Sequence, residues 1–195
     1  MELETWLCPD ACTPADIVIF DSPSKAARML HDPHKFAILS YAYLTKFEDI
    51  LCMKKYRMVI VDESHLLKNG KAKRTKSMNE IVENAPRVVL LTGTPALSRP
   101  YELYTQLHII APISWHSEQS FCKRYCQGKG TGTGRSSWGG EGKIGASHTE
   151  ELHAMLFGTI MIRRLKKDML TELPPKTRHI VRVDVVDKDK QEELA

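Results

Sequence analysis

The chain has 195 residues, room for one domain of ordinary size and not comfortably for two. Hydrophobic residues at 42% can build a core, and a formal net charge of +4 permits a nucleic-acid partner without amounting to a tail that binds by charge alone. No apolar run nears the roughly 18–20 residues of a membrane span, and Met1-Glu2-Leu3-Glu4 carries acid where a secretory signal carries Lys or Arg, so neither insertion nor export is expected.

Ile17-Val18-Ile19-Phe20 is the first short apolar run. Ser22-Pro23 then supplies an N-cap followed by proline at the first helical position, and predicts a helix to about Leu30. Phe36-Ala37-Ile38-Leu39 is the next strand candidate, and the region from Tyr41 to Leu51 reads as helical. Met58-Val59-Ile60-Val61 forms a third apolar run that ends abruptly in Asp62-Glu63. A polar helix from about Thr75 to Asn84 leads to Val88-Val89-Leu90-Leu91, which ends in Thr92-Gly93-Thr94-Pro95. Strands apolar on both faces and separated by helices predict an α/β fold, with a parallel sheet covered on two sides.

After Pro100 the pattern turns helical. Leu103, Leu107 and Ile110 recur at helical spacing between Pro100, which can start a helix, and Pro112, which ends it. Residues 128–145 hold eight of the eleven glycines at irregular spacing and read as a surface loop; a phosphate cradle is the weaker reading, since no Gly-x-x-x-x-Gly-Lys-Ser/Thr pattern occurs and no strand precedes it. Ser147 and Glu150 make a plausible capping box ahead of Leu152, Leu156 and Ile160. The basic run Arg163-Arg164-Leu165-Lys166-Lys167 precedes Leu173-Pro174-Pro175-Lys176, which must stop any helix, and Ile180 to Val186 reads as a last strand.

Five cysteines, Cys8, Cys12, Cys52, Cys122 and Cys126, are odd in number and irregular in spacing, which suits reduced thiols. Zinc is possible on paper with His116, His148 or His153, but no compact ligand spacing occurs; Phe121, Cys122, Tyr125 and Cys126 read better as an apolar helical stripe.

The chemistry concentrates in Val59-Ile60-Val61-Asp62-Glu63-Ser64-His65. Ligands of open parallel sheets bind beyond the carboxyl ends of the strands, where two adjacent acids can hold a hard cation and polarise a water. Phosphoryl transfer asks for both. Thr92-Gly93-Thr94-Pro95 follows about thirty residues on, the length of one strand–helix–strand unit, so both loops can share one edge of the sheet.

Asp62-Glu63-Ser64-His65 followed by Lys68-Asn69 resembles helicase motif II of the chromatin-remodeller (SWI/SNF-type) ATPases, within the superfamily-two helicases. Leu91-Thr92-Gly93-Thr94-Pro95 is similar to their motif III. The segment from Arg163 to Leu170, with Leu173-Pro174-Pro175-Lys176, resembles the block that closes their first RecA-like lobe. Ala96-Leu97-Ser98-Arg99-Pro100, Arg124-Tyr125-Cys126, and Gly145-Ala146-Ser147 before Glu151-Leu152-His153 resemble the HARP-like annealing helicases that remodel stalled replication forks.

The resemblance implies a partial RecA-like lobe, its parallel sheet flanked by helices, with a mainly helical C-terminal extension. Residues 1–112 would be the later part of lobe one, 113–178 the extension that closes it, and 179–195 the start of lobe two or a linker. Asp62 would help bind magnesium, usually through water, and Glu63 would orient or activate the water attacking the γ-phosphate of ATP. His65 and Thr92-Gly93-Thr94 would couple nucleotide state to DNA, and Ser40-Tyr41 resembles motif Ib, which touches the DNA backbone. Arg163, Arg164 and Lys166 would contact DNA phosphate or pair with acids to brace the lobe, with bracing preferred. Forked or branched DNA, replication or repair proteins and a nuclear location follow from the same likeness. The family's phosphate loop and second lobe are not found in these residues, so the isolated chain is expected not to hydrolyse ATP. The readings set beside this one are a non-catalytic truncated product that binds DNA or protein, and an RNA helicase, which Lys68-Asn69 and the 163–176 block disfavour.

Overall fold

A computed structural model describes residues 12–22, 33–96, 99–126, 145–169 and 177–178, with the side chains of Lys166 and Lys167 excepted. The chain divides into two compact units, Met1–His153 and Ala154–Ala195.

In the first unit, β1 (Ile17–Phe20) pairs in parallel with β2 (Phe36–Leu39), Ile17 opposite Phe36 and Phe20 opposite Leu39. After β2 come a single-turn helix α1 (Tyr41–Leu44) and α2 (Glu48–Lys54). Glu48 and Asp49 at the start of α2 and Lys54 at its end match the helix dipole, and Lys55 closes it in the left-handed conformation at φ 48°. β3 (Met58–Val61) then pairs in parallel with β4 (Arg87–Leu90), Met58 opposite Arg87 and Val61 opposite Leu90, across a 3-10 turn at Ser64–Leu67 and helix α3 (Lys73–Glu83). Helix α4 (Tyr101–Ile110) follows, and α5 (Glu118–Tyr125) starts where Ser117 Oγ accepts the Ser120 N–H at 3.1 Å. The expected α/β class and parallel pairing hold. Among the described residues, however, the strands form two two-stranded sheets, β1–β2 and β3–β4, rather than one continuous sheet.

The core is built by alternation. Val18, Phe20 and Val61 turn inward to meet Leu44, Phe47, Leu51, Met78, Ile81 and Val82 from the helices. Ile19, Ile38, Met58 and Ile60, the intervening residues, are exposed. Covering on both faces is therefore met on one face only among the described residues. The continuous apolar runs gave no hint of this, because an uncovered apolar face and a covered one read alike.

Three local expectations change. The helical region from Tyr41 to Leu51 breaks at Phe47, whose backbone at φ −114°, ψ 15° is not helical. That break drives its ring into the core, 5.8 Å from Phe20 and 5.7 Å from Tyr43 between centroids. Ser147 makes no capping box; its hydroxyl donates to the Arg124 carbonyl at 2.7 Å. Helix α6 (Thr149–Thr159) begins one residue beyond His148, which takes φ 48°. The expected helix from Pro23 to Leu30, nearly all of the glycine-rich loop, the Leu173-Pro174-Pro175-Lys176 stop and the strand at Ile180 to Val186 lie outside the described residues.

The stripe on α5 is as the sequence implies, with Phe121, Cys122, Tyr125 and Cys126 all buried. Phe121 lies 5.1 Å from Tyr125 and 5.4 Å from Tyr104 between ring centroids. Arg124 donates through Nε to Glu151 Oε1 at 3.1 Å and through its second nitrogen to Oε2, while the Tyr125 hydroxyl donates to Oε1 at 3.0 Å. The guanidinium holds the Glu151 carboxyl below its ordinary range.

In the second unit, the Thr159 hydroxyl donates to the Met155 carbonyl at 2.7 Å, and a short helix α7 (Lys166–Met169) follows. Arg163 and Arg164 are exposed, and among the described residues neither makes an ion pair. Among the described residues no helix is long and apolar enough to cross a membrane.

Leu67 has no solvent exposure, and its 3-10 turn connects β3 to the rest of the lobe. Leu67→Ala should lower unfolding free energy by about 2–5 kcal/mol, read from the urea midpoint.

Candidate functional site

The carboxyl ends of β3 and β4 bring the sequence-predicted loops to one edge. The Leu91 N–H donates to the Val61 carbonyl at 2.8 Å, and the Ser64 N–H returns to the Leu91 carbonyl at 2.9 Å. This two-bond clasp extends the pairing past the strands and fixes Asp62-Glu63 beside Thr92-Gly93-Thr94. Between the bonds the chain turns sharply, with Glu63 in the left-handed region at φ 49°, ψ 45°. A side chain there is uncommon and strained by roughly 1 kcal/mol or more. The Glu63 N–H donates to Asp62 Oδ1 at 2.8 Å, which holds the turn and orients the first carboxylate.

His65 joins the two loops. Its Nδ1 lies 3.1 Å from Glu63 Oε2 and 3.2 Å from Thr92 Oγ1. An ionised carboxylate only accepts, so the Glu63 contact requires the proton on Nδ1. Thr92 Oγ1 in turn accepts the Thr94 N–H at 3.2 Å, closing the loop on itself. Gly93 has open space where a Cβ would stand, so crowding within this chain does not demand glycine there.

Tyr41 reaches the same edge from the end of β2. Its hydroxyl donates to the Asp62 carbonyl at 2.9 Å and lies 3.4 Å from that of Glu63. Burial, then the charge of Asp62, pushes its pKa up to about 12, so it stays a neutral donor through the physiological range. Ser40 is exposed at the N-cap of α1, where its carbonyl accepts the Tyr43 N–H at 3.0 Å. Of the predicted residues, Tyr41, Asp62, Glu63, His65, Thr92 and Thr94 are thus linked by hydrogen bonds, while Ser40 and Gly93 are beside them in sequence.

Two participants were missed. Ser64, with no exposure, donates its hydroxyl to Gln106 Oε1 at 2.9 Å. Gln106 Nε2 donates to the Pro95 carbonyl at 2.7 Å and to the Glu102 carbonyl at 3.2 Å. One buried amide from α4 therefore braces both loops. A signal was present: Gln106 stands on the apolar stripe of Leu103, Leu107 and Ile110, where a polar side chain must find partners.

Asp62 and Glu63 are exposed oxygen donors, and Asp62 has a hydrogen bond on Oδ1 alone among the described residues. That pair suits magnesium, which takes one or two protein carboxylates and completes its shell with water and phosphate. Among the described residues no cluster of three or more metal-ligating side chains occurs, so a cage of protein ligands is not offered.

The fold and this edge define a class: a parallel α/β lobe with adjacent acids and a threonine-rich loop at the carboxyl ends of neighbouring strands. Within it, a profile described as "SNF2-related domain" matches residues 1–193, and the chain belongs to that family. It is 44% identical over 167 residues to the Caenorhabditis elegans homolog of SWI/SNF-related matrix-associated actin-dependent regulator of chromatin subfamily A-like protein 1, covering 86% of this chain and 23% of that protein. It is 38% identical over 189 residues to human "DNA annealing helicase and endonuclease ZRANB3", covering 94% of this chain and 17% of that protein. The chain thus spans less than a quarter of these relatives. A Sulfolobus solfataricus SWI2/SNF2 ATPase core, solved in complex with dsDNA, superposes with a TM-score of 0.63 over 89% of this chain and 32% of that one; at 20% identity this speaks for the fold.

Ser64→Ala leaves Gln106 Oε1 buried without its donor and should cost about 1–3 kcal/mol by chemical denaturation. Tyr41 and Tyr56, the latter held at about 12 by burial, ionise later than ordinary tyrosines. A folded pKa raised above the unfolded value of 10.0 stabilises fully below pH 10 and is lost as pH rises toward 12. Burial also raises Tyr104 and Tyr125, so tyrosinate absorbance should show four late-ionising groups, and Tyr41→Phe should remove one.

Proposed function

We propose that this chain is part of an ATP-dependent, DNA-stimulated motor that anneals or remodels DNA at replication forks, acting in the nucleus. The carrying observation is the hydrogen-bonded edge that links Asp62-Glu63 through His65 to Thr92-Gly93-Thr94. Membership of the SNF2-related family and likeness to relatives named as a chromatin regulator and a DNA annealing helicase support the same reading.

In this reading residues 1–112 belong to the first lobe, 113–178 extend and close it, and 179–195 lead out of it. Asp62 takes magnesium through water, with the Glu63 N–H on Oδ1 keeping its carboxylate turned outward. Bound magnesium neutralises charge on the phosphate oxygens. Glu63 orients the attacking water, and its strained backbone places the carboxylate beyond the strand end. His65 transmits displacement of that carboxylate to Thr92, and Tyr41 carries it toward the segment that contacts the DNA backbone. The 195 residues contain no Gly-x-x-x-x-Gly-Lys-Ser/Thr loop to hold phosphates, so we infer no ATP turnover by the isolated chain.

Two experiments bear on this reading. Residues 1–193 placed in human ZRANB3 in exchange for the matching segment should sustain ATP-driven strand annealing, and Glu63→Gln in that chimera should lower turnover at least 100-fold while DNA binding is retained. A Glu63→Gln chimera as active as its parent would refute the assignment. The isolated chain should show no DNA-stimulated turnover and should bind duplex DNA weakly, with affinity falling steeply as salt rises.

A further inference from the structure

Two side-chain routes join the acid-bearing turn to the threonine-rich loop, and they share no atom. The outer route is His65, whose Nδ1 meets Glu63 Oε2 and Thr92 Oγ1. The buried route is Gln106, only 4% exposed, whose amide meets the Ser64 hydroxyl and the Pro95 carbonyl. Ser64 directly follows Glu63, and Pro95 directly follows Thr94. The backbone clasp at Leu91 alone would act as a hinge between the two loops. With ties on either side of it, the loops must move together, so a displacement of Thr92 to Thr94 carries Asp62 and Glu63 with it.

The chemistry of the buried tie calls for an amide. Nε2 faces two carbonyls, Pro95 at 2.7 Å and Glu102 at 3.2 Å, so it is the donor end. Oε1 is left to accept from Ser64 at 2.9 Å. The Glu102 carbonyl lies one turn back on the same helix and locks the plane of the amide to α4. Both loops are thereby held to one frame. A glutamate would set a carboxylate against two carbonyls, and an asparagine is one methylene too short for the same reach.

Stability alone does not ask for this pair. Removing one partner strands a buried polar group, but replacing both by apolar groups of the same shape is close to neutral. Methionine, unbranched like glutamine, with alanine opposite would fill the space without a hydrogen bond. Such a pair would not fix direction or distance between the loops, because apolar attraction is non-directional.

We propose that Gln106 is a positioning residue of this edge. Through Ser64 and Pro95 it holds the Glu63 carboxylate in register with Thr92-Gly93-Thr94, so that DNA contact at the threonine loop raises turnover at the acids. That effect on turnover rests on the motor reading above, whereas the positioning is a property of these residues. Gln106 is buried behind both loops and acts only through them.

The test compares Ser64→Ala, which breaks one arm of the tie, with the double variant Ser64→Ala and Gln106→Met, which makes the whole tie apolar. In the isolated chain, the urea midpoint of the double variant should lie closer to the parent's than that of Ser64→Ala does. The Ser64 and Leu91 amides of the clasp should nevertheless exchange with solvent at least about tenfold faster in both variants, read by NMR against Ile81 and Val82 in α3. In the ZRANB3 chimera, turnover with saturating forked duplex divided by turnover without DNA should fall at least about fivefold in both variants, with KM for ATP within about twofold of the parent. A merely structural tie would make exchange and ratio follow the urea midpoint and recover in the double variant; that recovery overturns the proposal. If the double variant does not fold, parental exchange or a parental ratio in Ser64→Ala overturns it equally. A parent chimera without turnover sinks the motor reading, and amide exchange in the isolated chain then decides the positioning by itself.

Discussion

The Ser64 hydroxyl has no solvent exposure, and its removal from water is tolerable only because Gln106 receives it. Gln106 is itself buried and must place both amide hydrogens, which it does on the Pro95 and Glu102 carbonyls. A buried polar network of this kind is favourable only when every member is satisfied, and the members here come from three segments. The turn after β3, the loop after β4 and helix α4 are therefore mutually fixed. The exposed chemistry hangs on that hidden bracing, since Asp62 and Glu63 precede Ser64 directly and Thr92 to Thr94 run into Pro95. The Lys68 carbonyl accepts the Thr105 hydroxyl at 3.3 Å one residue earlier on α4, so this helix supports the acid-bearing segment at two points.

The division between rigid and reactive groups at this edge is sharp. Backbone carbonyls and buried amides carry the geometry, whereas the carboxylates stand in solvent with few partners. The strain at Glu63 fits this arrangement: the backbone cost is met by the clasp through Leu91 and by the Asp62 side chain, and among the described residues the Glu63 carboxylate is tied only to His65. A group held by one contact can be redirected at small cost. A group held by a buried network cannot.

Much of this was readable in the residues. The four apolar runs locate β1 to β4 within one residue at each end, because parallel strands with an apolar interior leave little else for such runs to be. The loops of the site were readable as well, since acids and small hydroxyl residues directly after buried strands have few structural uses. What escaped depended on distant partners. Phe47 interrupts a helix because Phe20 and Tyr43 offer its ring a place, and Ser147 abandons a local cap for the carbonyl of Arg124, 23 residues away. Gln106 was visible only as a polar residue on an apolar stripe. The separation of the strands into two pairs left no trace, since edge pairing is settled by which strand arrives and not by the composition of the one that waits.

The facing edges of β2 and β3 also bear on how the chain avoids sticking to itself. An unpaired edge on a flat sheet is a template for another sheet, and two such edges would ordinarily double the hazard of fibrous aggregation. Here they face one another across an interval fixed at both ends by His34–Tyr56 and Tyr41–Asp62. Tyr56 and Tyr41 thus hold β2 and β3 in a fixed relation, so neither edge can swing out to meet a neighbouring sheet.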